Sequence, residues 1–399
     1  MIIVGIDIAK NNHEAIIMDE SGQTLGKHIS FQNSFAGFHK LMQAVQSHSS
    51  DPSEIEFGME ATGHYWIGLY AHLRNAGYKI HVINPIQSDA LRGLFIRPSK
   101  NDTRDAFIIA EVIRIGRYTN TVLSEPNLLA LRELCRHRFS FVDTVSDLKR
   151  KVIALLDQVF PEYQKLFSDV FGTTSTQLLL QHTTPEDILT VDTEKLCDLL
   201  AAASRGRLAY DKAIAIKRAA ENSFGVMLIA DTMGLLIRQL LEQIRFIEDQ
   251  ILSLERLIAD KLSAFGSCLE TITGVGPTLA AVLLSEIGDI SRFDSPAKLA
   301  AFAGVDPCEK QSGQFKGSAK MSKHGSPYLR RALWLASSFA AFHDPAIKAF
   351  YEKKRSQGKS HMTAIGHVCR KMASIIFAVM RDNKPYVPAL PSTSAILHS

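Results

Sequence analysis

The first 120 residues alternate short apolar runs, turn residues, and stretches whose apolar positions lie three or four residues apart. Apolar runs bounded by Gly, Pro, Asn or Ser predict strands, whereas the wider spacing predicts helices. Residues 35–47 have the helical spacing, with Phe38, Leu41 and Val45 on one face. By these rules we predict strands at 1–8, 13–19, 23–31, 54–60 and 79–84, and helices at 35–47, 65–76 and 102–115.

The order of these elements indicates a fold. Three strands, one helix, and then strands and helices in alternation is the order of the ribonuclease H-like α/β fold. In that fold the first and fourth strands lie side by side. We therefore predict an α/β ribonuclease H-like domain at residues 1–125, an expectation that depends on element order alone.

Residues 126–265 are charged and are predicted to be mostly helical. One segment has apolar residues alternately four and three positions apart, which is the spacing of a coiled-coil seam: Leu240, Ile244, Ile247, Ile251, Leu254 and Ile258. Self-association through this seam and packing of one long helix on its own domain are both open interpretations. Residues 172–225 are less regular, and we interpret them as a candidate insertion with a small core of its own.

Residues 266–384 are predicted to form a mostly α-helical C-terminal domain. The sequence G-V-G-P at 274–277 lies between two stretches predicted to be helical and resembles a helix-hairpin-helix. In that motif Gly274 and Gly276 would let backbone N–H groups approach a nucleic-acid phosphate. A plain turn between two helices is the alternative.

The stretch 306–330 is rich in Gly, Ser and Lys, and it is predicted to be an exposed, mobile loop. Helices are predicted to follow at 328–342 and 363–380. The tail at 385–399, which is rich in proline and serine, is predicted to be disordered.

Charge is distributed unevenly along this chain of 399 residues. Residues 310–384 hold 15 Lys and Arg against three acidic residues, a net charge of +12, so the rest of the chain carries −8 of the overall +4. Concentrated positive charge favours a nucleic-acid partner for the C-terminal part, with a solvated basic face as the alternative.

Other classes of protein fit poorly. The sequence has no basic N-terminal region with a cleavage site, and no uncharged apolar run approaches the ~20 residues of a membrane helix. The five cysteines are scattered without a C-x-x-C pair, which disfavours a zinc site and indicates free thiols. We therefore expect a cytoplasmic protein with no membrane partner.

Four acidic residues of the first domain are candidate metal ligands: Asp7, Glu60, Asp102 and Asp105. Asp7 and Glu60 end apolar strands that the fold places next to each other. Asp102 and Asp105 have the i, i+3 spacing that puts both on one face at the start of a helix. Hard oxygen donors gathered in one cleft suit Mg²⁺, although each acid alone also fits a strand end, a helix cap or a first helical turn.

Ser312 is a candidate nucleophile in the basic loop, but composition alone makes it an ordinary loop serine, because a hydroxyl needs activation to react. Lysines and arginines near it are candidates for stabilising phosphoryl charge or for gripping a nucleic-acid backbone. These candidate nucleic-acid-binding residues are Lys310, Lys316, Lys320, Lys323, Arg330 and Arg331.

At this point the motifs resemble a known family. G-I-D-I-A-K at 5–10, M-E-A-T-G at 59–63 and K-N-D-T-R-D-A at 100–106 resemble the N-terminal domain of DEDD-type insertion-sequence transposases, which is similar to RuvC-type Holliday-junction resolvases. Four further motifs, in the same order as in the family, resemble its C-terminal serine transposase domain: I-T-G-V-G-P at 272–277, F-A-G at 302–304, Q-S-G at 311–313 and S-K-H-G-S-P-Y-L-R at 322–330. Together they are typical of the IS110/IS1111 type of transposase and cover nearly the whole chain.

The resemblance implies an activity that composition does not show. Members excise and insert a mobile element by site-specific recombination of double-stranded DNA, and some are guided by a structured non-coding RNA, the bridge RNA. The four acids, mapped onto Asp7, Glu60, Asp102 and Asp105, would bind Mg²⁺. The serine, mapped onto Ser312, would attack a DNA phosphate and form a covalent phosphoserine link. The resemblance also implies a homo-oligomer, a dimer or a tetramer, in a bacterial or archaeal cytoplasm in association with the nucleoid.

Three rival interpretations are weighed against this one. A Mg²⁺-dependent resolvase-type endonuclease would use water as its nucleophile and leave Ser312 without a role. A non-catalytic nucleic-acid scaffold would bind without cleaving. An actin-like sugar or acetate kinase shares the Gly-x-Asp strand start, but the chain lacks an evident second Gly-rich phosphate hairpin.

Overall fold

The computed structural model describes residues 1–61, 63–83, 102–116, 125–308, 311–312, 315–316 and 320–388. The chain forms two compact units, Met1–Leu123 and Ser124–Ser399. The hydrophobic core clusters of the two units have no residue in common.

The first unit is built on a mixed sheet of five strands: β1 (Ile2–Asp7), β2 (Asn12–Asp19), β3 (Ile29–Gln32), β4 (Ile55–Glu60) and β5 (Lys79–Ile83). The strand order is β3-β2-β1-β4-β5, with β1 parallel to β4 and antiparallel to β2. This order confirms that the first and fourth strands are neighbours. A mixed sheet in this order, followed by a mostly helical remainder, is consistent with the ribonuclease H-like fold.

One strand boundary differs from the prediction. The third strand begins at Ile29 rather than at residue 23, and the segment before it makes a single bridge between Met18 and Thr24. Gly26 has a φ of +80°, which breaks an extended strand.

Helices cover both faces of this sheet: α1 (Phe35–Gln46), α2 (Trp66–Asn75) and α3 (Asp102–Ile115). The side chains of Val4 and Ile6 pack with α1 and α2, whereas Ile3 packs with α3 on the opposite face. Alternation along the strands therefore separates two apolar layers, and among the described helices α3 packs on the second layer.

Two helices of 34 residues form the frame of the second unit, α4 (Pro126–Val159) and α9 (Ala230–Ser263). They are antiparallel, since Arg138 of α4 pairs with Glu255 at 2.6 Å and Lys149 pairs with Glu248 at 2.8 Å. Seam residues such as Ile244 and Ile258 are buried within this unit, so the seam packs in its own chain. Self-association through it stays a prediction.

Four shorter helices lie between the long ones in sequence: α5 (Thr173–Gln181), α6 (Pro185–Thr190), α7 (Thr193–Ser204) and α8 (Tyr210–Glu221). Their apolar residues, among them Leu178, Leu200 and Ile216, share one core with Leu156 of α4 and Ile237 of α9. The segment 172–225 therefore does not have a separate core, because its amphipathic helices bury their apolar faces on the long helices.

The C-terminal part packs five helices around one core: α10 (Pro277–Ile287), α11 (Pro296–Ala303), α12 (Pro327–His343), α13 (Pro345–Ser356) and α14 (His361–Asp382). α14 is long and apolar enough to cross a membrane by composition, but half of that window is buried inside this unit. Helices predicted at 328–342 and 363–380 are confirmed within two residues at each end.

Two predictions for this region need correction. The stretch from 306 contains two short antiparallel ladders rather than irregular loop alone, β6 (Pro307–Cys308) with β9 (Lys320–Met321) and β7 (Gln311–Ser312) with β8 (Phe315–Lys316). The tail is not disordered from residue 385 onward, because Tyr386 packs against the core and its N–H donates to Thr271 Oγ1 at 2.8 Å. Residues 389–399 lie outside the described residues.

Candidate functional site

Asp7 and Glu60 end the two central parallel strands. Gly5 is level with Gly58 in the β1–β4 register, so Asp7 and Glu60, two residues further along each strand, lie next to each other on the same face of the sheet. Both are part of the face that α3 covers. The pairing that the sequence predicted for these two acids is therefore present.

A third acid on this edge was missed by sequence reasoning. Glu14 of β2 pairs directly with Asp7, and directly opposite residues of an antiparallel pair point to the same face. We call the row of Glu14, Asp7 and Glu60 the acidic edge. Sequence reasoning missed Glu14 because its place opposite Asp7 follows from the register of β1 and β2, and one sequence does not reveal cross-strand register.

The first turn of α3 lies at this edge. Gly5 faces Ala106 and Ala110, whereas Gly22, beyond the other end of β1, lies against Glu111 and Arg114. The helix therefore runs antiparallel to β1, with its N-terminus toward Asp7. Asp105 is in this first turn and is only 6% exposed.

The close approach of α3 depends on glycines in the strands. A Cβ on Gly5 would lie 2.2 Å from the Ala106 carbonyl oxygen, and one on Gly58 would lie 2.6 Å from Ile113 Cγ1. Both distances are shorter than any normal contact. Gly5 and Gly58 thus set the distance between the helix and the sheet, a role that sequence reasoning did not assign to them.

A polar cluster lies on the same face toward the other end of β4. Glu56 accepts hydrogen bonds from Lys79 Nζ at 2.5 Å and pairs with His81 Nε2 at 2.8 Å. Burial alone would raise the pKa of the Glu56 carboxyl, but the hydrogen bonds from Lys79 and His81 outweigh it, so that pKa lies below its usual range. The cluster ties β4 to β5.

The donor set of the acidic edge and α3 suits Mg²⁺, since every candidate ligand is a carboxylate. Within the described part of the chain no three His, Cys, Asp or Glu side chains converge closely enough to hold a metal. The Asp102 backbone begins α3, but its side chain lies outside the described residues. The chemistry of the donors therefore fits the metal, whereas the ligand geometry stays a prediction.

Ser312 lies in the small ladder of the second unit, where it pairs with Phe315 and Gln311 pairs with Lys316. The side chains of Ser312, Lys310, Lys316 and Lys320 lie outside the described residues. The ladder that includes β6 and β9 continues into Ser322, whose N–H donates to the Asp306 carbonyl at 2.9 Å and whose hydroxyl donates to the Asp306 carboxylate.

The two arginines that follow this ladder, Arg330 and Arg331, make contacts within the second unit. Arg330 donates to the carbonyls of Ala303 at 3.3 Å and Lys323 at 3.1 Å. Arg331 pairs with Asp143 at 2.8 Å and covers the Phe139 ring. Both guanidinium groups therefore have structural partners, and their contact with nucleic acid stays a prediction; the side chain of Lys323 is exposed.

An ion pair between the partly exposed Arg136 and the buried Glu286 fixes the start of α12. Glu286, whose side chain is 3% exposed, receives two hydrogen bonds from Arg136 at 2.6 and 3.1 Å and one from the Ser326 hydroxyl at 2.8 Å. The same Ser326 oxygen accepts from the Leu329 N–H and so caps α12. This anchor was missed, because its members are far apart in sequence.

The glycine turn before α10 has two different glycines. Gly274 has a φ of +88°, and a Cβ there would lie 2.7 Å from the Ala336 carbonyl of α12. Gly276 is the N-cap of α10 and faces open space. The segment before the turn is a single 3₁₀ turn, Leu269–Thr271, rather than a helix, so the helix-hairpin-helix stays a prediction.

Comparison with known proteins identifies relatives along the whole chain. Residues 4–161 match a family described as Transposase, the DEDD group of IS110, and residues 266–352 match the family Transposase IS116/IS110/IS902. The insertion element IS116 44.8 kDa protein of Streptomyces clavuligerus is 23% identical over 98% of both chains. The pilin gene-inverting protein of Moraxella bovis is 27% identical over 96% of this chain and 97% of its own.

Proposed function

Because the chain belongs to the IS116/IS110/IS902 family of transposases and is a DNA transposase/recombinase, we propose that it excises and inserts a mobile element through Ser312 and four carboxylates. The observation that carries the proposal is the parallel pairing of β1 and β4. It brings Asp7 and Glu60 together under the helix that begins with Asp102 and contains the buried Asp105.

Asp7, Glu60, Asp102 and Asp105 would hold Mg²⁺, which when bound neutralises phosphate charge. The serine step is a transesterification. The Ser312 Oγ–P bond forms as a bridging P–O bond of the DNA breaks, and the serine proton passes to the departing DNA oxygen. Attack by another DNA hydroxyl then reverses the step, so strands rejoin without an external source of energy.

Rejoining favours this chemistry over hydrolysis. A relative from Moraxella bovis is named for inverting a gene, and inversion requires cut ends to be joined again. A water nucleophile would leave ends that need separate ligation. We further propose that an element-encoded structured RNA guides the choice of donor and target DNA, and that the protein acts as a homo-oligomer in the cytoplasm.

The test is a denaturing-gel assay for a covalent protein–DNA adduct. Supercoiled donor and target DNA are incubated with Mg²⁺ and the element's non-coding RNA, using wild type, Ser312→Ala and a matched Ser322→Ala variant. We expect an adduct in wild type and Ser322→Ala and none in Ser312→Ala. Cleaved DNA without an adduct in all three proteins would show that water is the nucleophile and support the resolvase alternative.

The carboxylates have a separate test. Asp102→Asn and Asp105→Asn should abolish recombination and leave nucleic-acid affinity within about tenfold, or ~1.4 kcal/mol. Unchanged recombination in both variants would contradict the proposed metal site.

A further inference from the structure

A cavity of about 580 Å³ lies in the second unit. It is bounded by the start of α11 and by facing sides of α13 and α14. On α14 the lining residues His367, Arg370, Lys371 and Ser374 have helical spacing, so they share one face. We call the group of Lys354, His367, Arg370 and Lys371 the cationic cleft.

An aromatic ring organises the charges of this cleft. The Phe350 ring centroid lies 5.5 Å from Lys354 Nζ and 4.8 Å from Lys371 Nζ. Both ammonium groups are therefore held on one ring by cation–π attraction although they repel each other. The repulsion between the two ammonium groups costs electrostatic energy when no anion is bound. An anion bound between them would offset that repulsion.

Few acidic side chains neutralise the positive charge of the cationic cleft. Among the described residues, Lys354, Arg370 and Lys371 form no ion pair, and Lys354 Nζ donates only to Gln357 Oε1 at 3.3 Å. Asp306 is the acid of the lining, and it already accepts the Ser322 hydroxyl. The pKa of His367 is lowered by burial and by the positive field of Lys354, Lys359 and Arg370, so at neutral pH it adds a neutral hydrogen-bonding group.

The start of α11 adds to this positive field. Ser295, Pro296 and Ala297 line the cavity, and Ser295 is an N-cap whose side chain makes no capping hydrogen bond. The N-terminal end of a helix presents backbone N–H groups and the positive end of its dipole. This end therefore supports an anion in the same place as the lysines.

The cleft continues along α14. A second cavity, of about 410 Å³, shares Lys371 and Ser374 with the first and extends to Asp382, Lys384 and Tyr386, and Asp382 is paired with Arg381 at 2.7 Å. A free phosphate would fill one cavity only, whereas a chain of phosphates would follow the helix through both.

We propose that the cationic cleft binds successive phosphates of a nucleic-acid backbone, through residues other than the basic ones around Ser312. The proposal rests on the proposed function only for the identity of the nucleic acid. Both DNA and RNA carry this phosphodiester chemistry, so the experiment has an arm for each.

The test measures how binding depends on salt. Full-length wild type is compared with an Arg370→Gln/Lys371→Gln double variant and with a matched Lys348→Gln/Lys353→Gln variant that removes two charges outside the lining. Fluorescence anisotropy with a duplex DNA and with a structured RNA gives the slope of log affinity against log salt. Loss of two phosphate contacts should reduce the slope by about 1.8 for duplex DNA and about 1.4 for single-stranded segments.

We expect the cleft variant to show this decrease with at least one of the two nucleic acids, and the matched variant to keep the wild-type slope on that ligand. The ligand whose slope falls identifies the occupant. A charge-preserving Arg370→Lys/Lys371→Arg variant should retain the slope, which separates loss of charge from loss of fold. Equal slopes in wild type and cleft variant with both ligands would overturn the proposal that the cleft binds phosphates. If recombination persisted in that variant, the proposed function would stand.

Discussion

Replacement of Gly5 with alanine tests how the acidic edge is assembled. The new Cβ would lie 2.2 Å from the Ala106 carbonyl oxygen and 2.6 Å from the Ala110 backbone nitrogen. Normal contacts are about 3.5 Å or longer, so the backbone of α3 has to move by about 1 Å or more. Overpacking of this kind costs about 1–3 kcal/mol of unfolding free energy.

The displaced segment carries Asp102 and Asp105. The variant should therefore lose recombination activity even under conditions in which it remains folded. A shift of about 1 Å in a reacting group lowers the rate by about 100-fold. We therefore expect recombination to fall by about two orders of magnitude under conditions in which most of the protein is still folded.

Two further glycines provide controls. A Cβ on Gly58 meets the Ile113 side chain rather than the backbone of α3, so Gly58→Ala should displace that backbone less and reduce activity less than Gly5→Ala. A Cβ on Gly68 in α2 meets nothing within 4 Å, so Gly68→Ala should leave activity unchanged. Recombination is measured beside urea unfolding of each variant. Activity of Gly5→Ala within twofold of wild type would refute the reasoning that strand glycines set the position of α3.

Two other predictions concern charge on the same face. Because Glu14 lies opposite Asp7 in the β1–β2 register, Glu14→Gln should reduce the rise in melting temperature that added Mg²⁺ gives, whereas an identical rise in both proteins would show that Glu14 takes no part in Mg²⁺ binding. The folded-state pKa of Glu56 is depressed, so its contribution is present above its unfolded pKa and is lost as pH falls through the folded value. Wild type should therefore lose stability below about pH 4.5 by more than Glu56→Gln does, and parallel pH–stability curves would contradict the Lys79–Glu56–His81 cluster.

Local sequence patterns predicted most elements of the first unit. β1 is a continuous apolar run that ends at Asp7, β4 is a mostly apolar strand that ends at Glu60, and β5 is followed within two residues by Pro85. α3 begins at Asp102, as its spacing predicted. These signals are local, because they depend on side chains within one turn or one strand.

The elements that were missed lack such a local apolar pattern. α13 has a single fully buried residue, Ile347, so no apolar stripe indicated a helix. Its start was nevertheless encoded in Asp344 and Pro345, since the Asp344 carboxylate accepts from the Ala346 and Ile347 N–H groups. The ladders β6–β9 and β7–β8 have strands of two residues, too short for alternation to be recognised.

The candidate site was predictable only in part, because a site depends on register. Asp7 and Glu60 were paired by fold analogy, but Glu14 required the β1–β2 register, which one sequence does not reveal. The anchor of Glu286 with Arg136 joins residues 150 positions apart. Contacts between distant segments follow from packing, and composition does not specify them.

The acidic edge and the apolar core are set by the same register. Directly paired carboxylates on adjacent strands, about 5 Å apart, destabilise a sheet unless a cation or other partner offsets them. A slip of one residue would separate these carboxylates, but it would also turn Ile3 toward α1 and Val4 toward α3, because side chains alternate between faces. The apolar layers on both faces therefore hold the acids together, and Gly5 is the position at which the layer under α3 and the acidic edge meet. It follows that a variant which loosens α3 changes both the packing of this core and the position of the acids.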